Sequence, residues 1–144
     1  IRLDNEEISD QDVINAAKYV NAHLFIKQLP NGYEEPVKER GCTLSAGQRQ
    51  LLSFARAVAF KPSILVLDEA TANIDTENEK IIQDSLQKIS KNRTTLIIAH
   101  RLSTIQNADK IIVLSKGVVR EIGTHDELLQ KGGIYRNLYQ LQSS

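Results

Sequence analysis

This chain of 144 residues lacks most of what would mark it as secreted, membrane-spanning or nucleic-acid-binding. It holds one cysteine, Cys42, so no internal disulfide can form, which fits a reducing compartment. No pattern of metal ligands surrounds that cysteine, and a small semi-buried role suits it. No stretch approaches the roughly 18 consecutive apolar residues of a spanning helix. The amino terminus, IRLDNEEISD, is acidic and has no hydrophobic signal region. Methionine is absent throughout, an initiator included, and a piece of a longer polypeptide is expected. Charge bias is missing too. Lys plus Arg and Asp plus Glu each number 18, which leaves no global basic field to recruit nucleic acid or acidic lipid. There is no internal repeat and no low-complexity tract.

What is present is a globular composition, 41% hydrophobic and 25% charged, at a length that suits one domain. The chain is organised around ILVLDE, Ile64–Glu69. Four aliphatic residues run into two carboxylates, and the run is too short for an ordinary helix. It predicts a strand buried on both faces of a parallel sheet, which delivers Asp68 and Glu69 to the carboxyl edge where ligands of open α/β folds bind. Taken alone, the same run is also a core strand ending in solvated acids. TTLIIAH, Thr94–His100, reads as a second buried strand. Two successive strands thus bring Asp68, Glu69 and His100 to one rim.

The rest of the pattern alternates with these strands. Ser9 with Asp10 and Asp12 opens a helix, a second short helix covers His23–Gln28, and Pro30-Asn31-Gly32 makes a turn. In LSAGQRQLLSFARAVAF, Leu44–Phe60, Ser45 is an N-cap, Leu51, Leu52, Ala55, Val58 and Ala59 form one apolar stripe, and Arg49 and Arg56 lie off it. A serine and small residues at a helix start make an anion site, or simply a capped helix. Thr76 and Glu79 form a capping box for a helix to about Ser90. A strand at Lys110–Leu114 turns at Lys116-Gly117 into an antiparallel partner, and Thr124 with Glu127 caps a short helix. Ile134–Leu141 is a last amphipathic helix whose tyrosines cover a core.

LSAGQ, ILVLDE, ANID at Ala72–Asp75 and the histidine of AHRLST stand in the order and spacing of ATP-binding cassette (ABC) ATPases, which this chain resembles along its whole length. LSAGQ resembles the LSGGQ signature, ILVLDE the Walker B strand, ANID the D-loop and His100 the switch histidine. VKERG, HRLST and GTHDELL resemble exporter-type members. The implied fold is α/β, part of a P-loop NTPase core plus part of the ABC helical subdomain. Residues 1–60 would belong to that subdomain and 61–144 to the core.

The resemblance implies a Mg-dependent ATPase that drives export as a dimer of such domains at the cytoplasmic face of a membrane. Glu69 would polarise the attacking water, and Asp68 would orient Mg²⁺ through water. His100 would sense the γ-phosphate. Ser45, Ala46, Gly47 and Gln48 would hold the γ-phosphate of ATP bound to a second, facing domain, and Asp75 would couple the two sites. Val37–Gly41, with Glu39 and Arg40, would meet cytoplasmic loops of a transmembrane domain; nucleic acid is not an implied partner. Ala46 departs from the usual glycine, with a modest effect expected. A larger departure is the absence of G-x-x-x-x-G-K-[ST]. Without that phosphate loop the chain alone is expected to be inactive, and a sheet edge or apolar face is expected to stay open. Two other classes share features with it. One is the carboxyl-terminal lobe of a DNA-repair or chromosome-maintenance ATPase, which calls for heptads and a basic footprint absent here. The other is a non-catalytic interaction module.

Overall fold

The computed structural model describes residues 1–3, 5–37, 43–68, 76–91, 93–99 and 101–142, with the side chains of 76–78 left aside. It comprises two compact units, Ile1–Leu96 and Ile97–Ser144. The first holds α1 (Asp10–Tyr19), α2 (His23–Gln28), a 3₁₀ turn (Gly32–Glu34), α3 (Ala46–Ala59), β1 (Ile64–Asp68), α4 (Thr76–Ser90) and the start of β2 (Thr94–Ile98). The second holds a 3₁₀ turn (Leu102–Thr104), β3 (Ile111–Ser115), β4 (Val118–Gly123), α5 (His125–Lys131) and α6 (Ile134–Gln142).

In the first unit α3 packs against both α1 and α4. Ala16, Ala17 and Val20 of the α1 segment and Leu51, Phe54 and Ala55 of α3 are buried, and Ala16 clusters with Ile8 and with Ala59 of α3. Ser9 starts α1 as expected. Its Oγ accepts from the Asp12 N–H at 3.1 Å, while Asp12 Oδ2 accepts from the Ser9 hydroxyl at 2.6 Å. These bonds from Ser9 hold the Asp12 carboxyl below its ordinary pKa. The far end of α1 is closed by α4. The fully buried Ser85 hydroxyl lies 2.8 Å from the Val20 carbonyl, and the Tyr19 hydroxyl donates to the Lys88 carbonyl at 2.8 Å. A polar side chain is tolerated in this core because its hydroxyl has carbonyl acceptors within reach, Val20 at 2.8 Å and Ile81 at 2.7 Å.

β1 and β2 pair in a small parallel sheet. The expectation that β1 is buried on both faces does not hold for the described structure. Leu65 and Leu67 are 6% and 8% exposed, whereas Ile64 and Val66 are 65% and 58% exposed. Side chains alternate across a strand, and among the described residues none covers the second face. That face carries the apolar Ile64 and Val66, so an apolar face is open among the described residues.

The second unit is built on a hairpin. Lys116 and Gly117 both have positive φ, 52° and 72°, the geometry that matches the twist of an antiparallel pair. Leu102, Ile111, Val113, Leu128 and Tyr135 form its core. Thr124 caps α5 through its box with Glu127, and Gly132, at φ 69°, ends that helix in the left-handed region. Glu121 on β4 accepts from the N–H groups of Ile134 and Tyr135 at 2.8 and 3.0 Å, and so caps α6 with a carboxylate.

Candidate active site

The start of α3 is the best-defined piece of the expected site. Ser45 is extended (φ −64°, ψ 163°) and caps the helix. Its Oγ accepts from the Gln48 N–H at 3.2 Å, and its own N–H donates to Gln48 Oε1 at 2.9 Å. The first helical backbone bond runs from the Arg49 N–H to the Ser45 carbonyl at 3.0 Å. The N–H groups of Ala46 and Gly47 therefore stand in the first turn, ahead of the i→i−4 ladder, where backbone donors and the helix dipole favour an anion. Gly47 is buried while Ser45 is exposed, so the donors lie on a firm base beside an accessible hydroxyl. This arrangement suits phosphate oxygens.

Asp68 ends β1 with an exposed side chain. Among the described residues no group of three or more His, Cys, Asp and Glu could hold a metal ion by itself. A single accessible carboxylate fits Mg²⁺, which retains waters and takes its remaining oxygens from phosphates. The structure thus gathers Ser45, Ala46, Gly47 and Gln48 at one helix end and puts Asp68 at a strand end in the same unit. Glu69, Asp75 and His100 lie outside the described residues, as do Glu39, Arg40 and Cys42.

Sequence reasoning missed one feature. Arg49 Nη1 donates to the Leu44 carbonyl, just before the cap. The signal was available, because the residue before a cap and the fourth helical residue face each other. Beyond the cap, a cleft of about 340 Å³ opens in the same unit, lined among others by Phe25, Leu29, Tyr33, Val37, Leu52 and Arg56. At its wall the Tyr33 hydroxyl lies 2.8 Å from His23 Nδ1, and burial raises the Tyr33 pKa.

Comparison with known proteins decides the family. Residues 2–72 match the family model described as ABC transporter. The chain is 58% identical over 138 residues to the exp8 ABC transporter ATP-binding protein of Streptococcus pneumoniae serotype 4, covering 96% of this chain and 24% of that protein. It is 54% identical over 142 residues to the YheH ABC transporter ATP-binding/permease protein of Bacillus subtilis, covering 99% and 21%. A bacterial Atm1-family ABC exporter solved with ATP bound superposes with a TM-score of 0.87 at 40% identity, over 97% of this chain and 24% of that one. This chain belongs to the ABC transporter family. Its α/β fold is that of part of an ABC exporter nucleotide-binding domain, a P-loop NTPase fold. The chain spans about a quarter or less of the length of these relatives. No helix among the described residues is long and apolar enough to cross a membrane.

Proposed function

We propose that this ABC chain is the signature- and Walker B-bearing part of an exporter's nucleotide-binding domain, which binds and hydrolyses ATP to drive transport across a membrane. The observation that carries this is the capped start of α3, where the LSAGQ sequence coincides with a phosphate-ready helix end. In this reading residues 1–60 serve the helical subdomain and 61–144 the ATPase core. Ser45, Ala46, Gly47 and Gln48 bind the γ-phosphate of ATP held on a facing nucleotide-binding domain. Glu69 polarises the attacking water, His100 contacts the γ-phosphate, and Asp75 couples the two sites. Asp68 holds Mg²⁺ through water, and the ion when bound neutralises charge developing on the phosphates. The segment Val37–Gly41 meets the cytoplasmic loops of the transmembrane domain, which sets this part at the cytoplasmic face of the membrane. The cleft that reaches Val37 supports that assignment.

The test is Glu69→Gln in the full-length protein. Steady-state ATP turnover should fall by at least about a hundredfold, the scale of general-base loss, while ATP still binds. Turnover at the wild-type rate would remove Glu69 from this role.

A further inference from the structure

The peptide between Leu44 and Ser45 is held from both sides. Its N–H donates to Gln48 Oε1 at 2.9 Å, and its carbonyl accepts from Arg49 Nη1. Two consecutive side chains of α3 thus reach back over the helix start and grip one peptide plane. The usual device at these positions is a hydrophobic pair between the residue before the cap and the fourth helical residue, which sets the angle at which the chain enters the helix. Here the fourth helical residue is Arg49, and it grips the backbone itself. Leu44 is buried, so its side chain anchors the peptide from below while Arg49 fixes the rotation of the peptide about the chain.

We infer that Arg49 is a positioning residue for the signature site, one that aims the Ser45 hydroxyl and the Ala46 and Gly47 N–H groups by locking the Leu44–Ser45 peptide. The inference rests on the proposed role of the helix start as a γ-phosphate site. It adds that the guanidinium acts through the backbone and does not itself contact the nucleotide. Rotation of that peptide swings Ser45 directly, because Ser45 N–H is part of the plane. The hydroxyl is exposed, and among the described residues the cap bond from the Gln48 N–H is what holds it otherwise.

The experiment uses the full-length protein in a Glu69→Gln background, where ATP-driven closure of the two domains is followed by a distance probe. Ser45→Ala should raise the half-saturating ATP concentration roughly tenfold, as expected for one hydrogen bond to a charged group. Arg49→Ala should raise it about three- to tenfold and leave ADP affinity unmoved, and Arg49→Lys, which keeps one donor, should stay within about twofold of the parent. The double variant Ser45→Ala with Arg49→Ala should fall clearly short of the product of the two single effects, because Arg49 acts in part through the Ser45 hydroxyl. Additive effects would identify Arg49 as an independent phosphate contact and overturn the inference, as would an Arg49→Ala variant with unshifted closure. Should Arg49→Ala lower ADP affinity as well, a general structural role replaces the one inferred. A Ser45→Ala variant with no shift would instead remove the γ-phosphate reading on which all of this stands.

Discussion

Gly133 shows how one missing side chain lets a second do its work. A Cβ at this position would lie 1.8 Å from Glu121 Oε1, the atom that accepts from the Ile134 N–H. Gly133→Ala must therefore displace the carboxylate from α6 or strain the turn, and should destabilise the second unit by about 1–3 kcal/mol in urea denaturation. Two residues on, Tyr135 is 1% exposed and its hydroxyl lies 2.8 Å from His125 Nδ1. Burial, with a smaller contribution from Tyr139, raises its pKa above the ordinary 10.0. The fold favours the neutral phenol, so this stabilisation is fully present below pH 10 and is lost as pH rises through the higher folded value. The melting temperature should accordingly fall from about pH 10 upward. Tyr135→Phe should flatten that fall, while costing about 1 kcal/mol at neutral pH for the lost hydrogen bond. A Phe variant with the parental alkaline slope would place the titration elsewhere. The sequence marked Tyr135 only in outline, among the tyrosines expected to cover a core.

Among the elements, the helices were the most legible. α1, α3 and α5 each begin at a serine or threonine whose partner three residues on completes a capping box. Such signals are local, and tertiary structure had only to leave them in place. The hairpin was legible for the same reason, through Lys116-Gly117. β1 was legible as a strand, but its burial was not, because burial is not a property of a strand alone. Its apolar run reads the same whether one face or both are covered. For residues 1–144 by themselves, Leu67→Ala on the buried face should cost about 2–5 kcal/mol, and Val66→Thr on the exposed face should change stability by no more than about 0.5 kcal/mol. Equal losses at the two positions in urea denaturation would show that the Val66 face is covered in solution.

At the scale of the whole molecule, the proposed site is divided. The signature helix start offers roughly three charge-assisted hydrogen bonds, on the order of 5–9 kcal/mol gross, against an association cost of about 4–15 kcal/mol. Residues 1–144 alone should thus bind ATP no more tightly than millimolar and show no turnover, which isothermal titration and phosphate release would check. Micromolar affinity would mean that this stretch holds a phosphate cradle of its own.

By itself the sequence determined the family, through motifs whose order and spacing carry chemistry, and it determined where helices and the hairpin begin, through caps and turns that act within a few residues. It named Ser45, Ala46, Gly47, Gln48, Asp68, Glu69, Asp75 and His100 by resemblance. Only the tertiary structure decided how described segments distant in the chain meet. It set Ser85 and Lys88 of α4 against the end of α1, and left Ile64 and Val66 on an exposed apolar face. Those outcomes depend on which groups meet across the fold, and no period or motif along the chain encodes such a meeting.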